Sequence, residues 1–114
     1  MYKVLVCDDE KDIVSAISIY LTSDGYEVIP ARNGLEALDI VKHNDVHLVL
    51  MDIMMPVMDG YTATRKIREL ERSDAKTVPI IAMTANAFQE DAEKCIAVGM
   101  NAHLAKPLDI EKMK

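Results

Sequence analysis

Val46-His47-Leu48-Val49-Leu50-Met51, followed at once by Asp52, is the stretch on which the fold turns. It is a nearly continuous apolar run, the pattern of a strand in a sheet covered on both faces. On its N-terminal side, residues 2–7 form a similar β-rich run that ends abruptly in Asp8-Asp9-Glu10. Ile13, Ile17, Tyr20 and Leu21 then recur on one face of a helix, which Asp24-Gly25 ends. Residues 26–29 read as a strand closed by Pro30. Asn33 with Glu36 reads as a cap and its reciprocal partner, opening a helix to about His43. Leu35, Leu38 and Val41 keep helical spacing after Asn33-Gly34, which excludes a hairpin there.

On the C-terminal side, a loop from Asp52 to Gly60 leads into a helix marked by Ala63, Ile67 and Leu70. Residues 78–83 form a fourth strand. Asn86 and Gln89 resemble a second capping pair, opening a helix through Cys95 and Ile96 to Gly99. Ala102–Ala105 is a short fifth strand, and Asp109 starts a last helix that the chain barely contains and that is expected to be truncated. Strand and helix therefore alternate five times, without repeat or linker. Such alternation predicts an α/β fold with a parallel sheet and right-handed crossovers. The expected form is flavodoxin-like and doubly wound, with five parallel strands in the order 2-1-3-4-5 and helices on both faces.

The chain has 114 residues, the length of one domain. Half of them are apolar, which excludes a disordered chain. The formal charge is −6 and no basic block is present, so direct nucleic-acid contact and anionic-membrane binding are not expected. No apolar run approaches the roughly 20 residues that span a bilayer. The two cysteines, Cys7 and Cys95, lie far apart on apolar segments without His or Cys neighbours at ligand spacing. They read as buried, reduced thiols of a cytoplasmic protein.

Open α/β sheets bind ligands at the carboxyl ends of their strands. Asp8 and Asp9 follow strand one, Asp52 follows strand three, Thr84 follows strand four and Lys106 follows strand five. In the expected order, strands one and three are neighbours, so the three carboxylates meet, with Thr84 and Lys106 on the flank. Clustered carboxylates repel unless their pKa values split or a cation joins them. An all-oxygen set without His or Cys suits a hard divalent ion, most naturally Mg²⁺. Thr84 adds a hydroxyl and Lys106 an ammonium, both partners for phosphoryl oxygens. The set suits phosphoryl transfer, with a carboxylate as the acceptor. The methionines Met51, Met54, Met55 and Met58 read as adaptable packing rather than a soft-metal site.

Asp8-Asp9, Asp52 with Met54-Met55-Pro56-Val57-Met58-Asp59-Gly60, Met83-Thr84-Ala85 and Lys106-Pro107 together resemble the receiver domain of two-component response regulators, CheY-like, over residues 1–114. The resemblance implies that Asp52 accepts a phosphoryl group from a histidine kinase or histidine phosphotransfer protein. It implies that Asp9 ligates Mg²⁺ directly, Asp8 largely through water and Met54 through its backbone carbonyl. Thr84 would bind the phosphoryl group and shift toward it, Lys106 would pair with Asp52 or the phosphoryl oxygens, and Lys106–Pro107 would be a cis bond. The face made by the helix opening at Asn86, the fifth strand and the last helix would carry the signal to an output domain, a partner or a second copy. Receivers usually carry Tyr or Phe three residues before the Lys as a rotating switch; here that residue is His103, a smaller ring that can charge near neutral pH.

Three other readings stay open on the sequence. A degenerate receiver would act as a phosphorylation-independent interaction module, against which the intact Asp8, Asp9, Asp52, Thr84 and Lys106 set argues. An Asp-nucleophile, Mg²⁺-dependent phosphatase would want an acid two residues after Asp52, where Met54 stands. A flavin or nucleotide carrier would want a Gly-rich loop after strand one, where Asp8-Asp9-Glu10 would repel a phosphate.

Overall fold

The computed structural model describes residues 2–71, 73–84 and 89–105. Its elements are β1 (Lys3–Cys7), α1 (Lys11–Ser23), β2 (Glu27–Ala31), α2 (Gly34–His43), β3 (Leu48–Asp52), α3 (Gly60–Arg68), α4 (Ser73–Thr77), β4 (Ile80–Thr84), α5 (Gln89–Val98) and β5 (Ala102–Ala105). The five strands form one sheet in the order β2-β1-β3-β4-β5, and each neighbouring pair is parallel. This is the expected doubly wound α/β arrangement.

Alternation along the strands divides the core into two layers. Leu5, Cys7, Val49, Met51, Ile80 and Ala82 pack with Ala37, Leu38, Val41, Ala63, Ile67 and Cys95, so α2, α3 and α5 cover that face. Val4, Val6, Leu50 and Met83 pack with Ile17 and Leu21, so α1 covers the other. Residues at i and i+1 of a strand point to opposite faces, and continuous apolar runs therefore fill both layers.

The helix caps follow their sequence signals with one shift. Asn33 Oδ1 accepts from the Glu36 amide at 2.9 Å, as an N-cap does. Glu36 reaches back to the Arg32 amide rather than to that of Asn33. Asp59 caps α3 by accepting from the Thr62 amide at 2.8 Å. Gly25 and Gly99 close α1 and α5 at positive φ.

Several boundaries differ from the sequence reading. β4 begins at Ile80 rather than at residue 78, and β1 and β2 each begin one residue later than read. β3 begins at Leu48, not Val46, because the step before it is bridged by a side chain: the Lys3 amide donates to Nδ1 of His47, while the His47 amide donates to the Lys3 carbonyl. β2 runs through Pro30 to Ala31; it is an edge strand, where a missing N–H is tolerated. Asp52 and Thr84 are the last residues of their strands rather than the first residues after them. The short α4 was unforeseen; its Ala75 carbonyl accepts from the Arg68 guanidinium, an anchor with no periodic signature. Asn86 and the last helix, from Asp109 onward, lie outside the described residues.

Candidate functional site

Strand register builds the site. Cys7 of β1 is paired with Met51 of β3, so the next residues along, Asp8 and Asp52, fall side by side. Asp52 is paired with Met83 of β4, which places Thr84 one step beyond that partner, and Thr84 is paired with Ala105. Carboxylate oxygens of Asp8, Asp9 and Asp52 lie within 4.8 Å of one another. Asp8 is 1% and Asp52 5% exposed, while Asp9 is open to solvent. Asp8 Oδ1 accepts from the Glu10 amide at 2.9 Å. Glu10 is the N-cap residue of α1 and makes no side-chain cap bond, so Asp8 also steadies the helix entry.

Like charges at this spacing repel by roughly 3 kcal/mol per pair at an effective dielectric near 20, and a cation among them offsets that repulsion. The donor set is all carboxylate oxygen, with Asp9 open to water, which fits a hard divalent ion such as Mg²⁺. The nearby sulfur does not compete: Cys7 donates to the Asn33 carbonyl at 3.2 Å and lies 3.4 Å from the Met55 sulfur. Burial, followed by the charges of Asp52, Asp8, Glu36 and Asp9, pushes its thiol well above the ordinary value, so it stays protonated. Cys7 and Cys95 are both buried and in no disulfide.

The loop after Asp52 is held close to it. The Gly60 amide donates to the Ile53 carbonyl at 2.9 Å, and a Cβ on Gly60 would lie 2.2 Å from the Asp52 carbonyl oxygen. Only glycine permits that approach. The Gly34 amide ties the same loop to α2 by donating to the Met58 carbonyl at 2.9 Å. Met51, Met55 and Met58 pack into the fold, as adaptable methionines do, whereas Met54 is 82% exposed. The sequence places Asp59 and Gly60 in the motif and marks Gly60 as a permissive residue at a helix start; the Asp59 cap and the close approach to the Asp52 carbonyl go beyond that, with an acid before a glycine as the available signal.

The structure thus brings Asp8, Asp9 and Asp52 together and sets the backbone of Thr84 beside them. His103 lies in β5, paired with Ala82. Lys106 and Pro107 lie outside the described residues. His43 and His47 are both exposed; His43 Nδ1 meets the Asp39 carbonyl, and His47 Nδ1 accepts from the Lys3 amide where β1 and β3 begin.

Residues 4–114 match the family model of the response regulator receiver domain. The chain belongs to that family. This receiver is 42% identical over 115 residues to hybrid signal transduction histidine kinase B of Dictyostelium discoideum, covering 93% of this chain and 6% of the relative. It is 37% identical over 111 residues to sensor histidine kinase RcsC of Escherichia coli K12, covering 97% of this chain and 11% of the relative. The chain therefore spans only a small part of these curated relatives. Among solved structures, it matches the chemotaxis protein CheY4 of Vibrio cholerae with a TM-score of 0.92 at 34% identity, covering 99% of this chain and 92% of that one. It matches the receiver domain of sensor histidine kinase PA1611 of Pseudomonas aeruginosa with a TM-score of 0.88 at 38% identity, covering 98% and 90%; that structure has a magnesium ion coordinated in its active-site cleft. It also matches the receiver of Saccharomyces cerevisiae Ssk1, solved with the histidine phosphotransfer protein Ypd1, with a TM-score of 0.90 at 30% identity, covering 98% and 83%. Among the described residues, no helix is long and apolar enough to cross a membrane.

Proposed function

We propose that residues 1–114 act as one receiver domain that takes a phosphoryl group from phosphohistidine onto Asp52 and passes the change to an output partner. The observation that carries this reading is the meeting of Asp8, Asp9 and Asp52 at the carboxyl end of the sheet. Asp8, Asp9 and Asp52, with the Met54 backbone carbonyl, would hold Mg²⁺. When bound, the ion supplies positive charge that offsets the carboxylates and the phosphoryl oxygens.

Asp52 is the last residue of β3, paired with Met83 of β4 and one step beyond the Cys7–Met51 pair with β1. Its carboxylate oxygen attacks phosphorus in line, a P–O bond forms as the P–N bond of phosphohistidine breaks, and the imidazole leaves. The product is an acyl phosphate. Thr84 donates its hydroxyl to a phosphoryl oxygen, and the Lys106 ammonium neutralises another. The modification replaces about one negative charge with nearly two. That draws Thr84 inward and tilts an existing equilibrium at the face of α5 and β5, with His103 in the position of the usual aromatic switch. The donor class is a histidine kinase or histidine phosphotransfer protein, the output an attached domain, a partner or a second copy, and the setting cytoplasmic.

The test is intact mass after treatment with a small phosphodonor and Mg²⁺. Wild type gains one phosphoryl group and Asp52→Ala gains none. Equal gain by both, or no gain by wild type, overturns the reading.

A further inference from the structure

α3 and α5 meet in two ways. Beneath the surface the contact is apolar: Ala63 and Ile67 of α3 share one buried layer with Cys95 of α5. Apolar burial is non-directional, so it holds the helices together more than it sets their offset. At the surface the contact is directional. Lys94 Nζ lies over the Tyr61 ring, 4.5 Å from its centroid. Lys94 is exposed and is the only basic residue in α5, while Tyr61 is half-buried. A lysine is ordinarily left to water; this one is seated on another helix.

The two residues stand on the segments that frame the acceptor. Tyr61 follows Gly60, whose amide donates to the Ile53 carbonyl and which lies against the Asp52 carbonyl. Lys94 belongs to the helix that follows β4, the strand ending in Thr84. The contact therefore runs from the tether of Asp52 to the first helix after Thr84.

Distance decides what such a contact can do. A cation and a ring attract within about 6 Å, and helix shifts in switching proteins are about 1–2 Å. From 4.5 Å, a shift of about 2 Å away from the ring carries the ammonium out of that range. The contact is then made at one offset of α5 and lost at the other.

We propose that the Lys94–Tyr61 contact is a latch between α3 and α5, made in one state of the receiver and broken in the other. Tyr61 and Lys94 are thus positioning residues, acting through the helix offset rather than on the phosphoryl group. The inference deepens the phosphoacceptor reading above and rests on it. By linkage, a contact that differs between two states changes the affinity for any ligand that selects between them.

The test titrates isotope-labelled protein with beryllofluoride, a phosphoryl mimic, in the presence of Mg²⁺. It follows by NMR the backbone amides of α5 and the ε-methylene protons of Lys94. In wild type the Tyr61 ring current displaces those protons, and saturation with beryllofluoride changes the displacement. Lys94→Gln and Tyr61→Leu should each move the half-saturating concentration about threefold and in the same direction, the size an exposed cation–π contact supports. The double variant should move it no further than either single one. Lys94→Arg and Tyr61→Phe keep a cation and a ring face, and should stay within about 1.5-fold of wild type. Unmoved half-saturation, opposite directions, an additive double variant, equal effects from the conservative pair, or Lys94 protons indifferent to beryllofluoride would overturn the inference. Failure of wild type to take a phosphoryl group from phosphoramidate and Mg²⁺, read by intact mass, would instead sink the phosphoacceptor reading itself.

Discussion

The two ends of the parallel sheet are built on opposite terms. At the N-terminal ends of β4 and β5, the Arg68 guanidinium donates to the carbonyls of Ala75, Val78 and Gly99 and to Oδ1 of Asn101, at 2.7–3.1 Å. Asn101 Oδ1 also accepts from the Ile80 amide, and the Asn101 amide donates to the Ile80 carbonyl. Gly99 lies against the Arg68 stem, where a Cβ would come within 3.0 Å of Cγ. Charge there meets fixed acceptors, and one planar fork joins α3, α4, β4 and the turn into β5. At the carboxyl end, carboxylates crowd one another and Val57 holds a strained turn. One end secures the fold. The other is left under electrostatic and conformational tension, which a cation and a phosphoryl group would relieve.

That contrast is open to direct attack. Arg68→Ala should cost about 3 kcal/mol, because three partly buried carbonyls lose a charged donor at once. Urea denaturation should show a lower midpoint with an unchanged slope. Phosphorylation at low temperature should survive, since the carboxylates lie at the other end of the sheet. Gly60→Ala should cost about 3 kcal/mol and also slow phosphorylation, because the new methyl group displaces the Asp52 backbone. Asp8→Asn should act in the opposite sense. It keeps an acceptor for the Glu10 amide but removes a like charge, so the ion-free protein should gain about 1–2 kcal/mol, less than the full repulsion because of screening. The same variant should lose the thermal stabilisation that Mg²⁺ gives wild type. Thr64→Val should have the smallest effect. Among the described residues the Thr64 hydroxyl is buried without a hydrogen-bond partner, so its replacement by an isosteric methyl should gain about 1 kcal/mol by thermal denaturation.

The same contrast explains what could be read from the sequence. The acidic end was legible, because the topological rule converts strand order into neighbours: Asp8, Asp9 and Asp52 follow their strands whatever the loops do. The apolar runs of β1 and β3 fixed both sheet layers for a similar reason. The secured end was not legible. Arg68 sits in a basic helix terminus that resembles any solvated one, and its acceptors are backbone carbonyls, which carry no sequence signal. The short α4 depends on that arginine and was missed with it. His47 replaces one rung of backbone pairing, which moved the start of β3 by two residues. The positive φ of Val57 was hidden because valine is the residue least associated with such a turn.

The most direct test of the central claim locates the modified residue. Wild-type protein treated with phosphoramidate and Mg²⁺, then reduced with borohydride, should yield homoserine at position 52 and nowhere else, and none when Mg²⁺ is chelated. Homoserine at position 8 or 9, or labelling at position 52 that is indifferent to Mg²⁺, would contradict it.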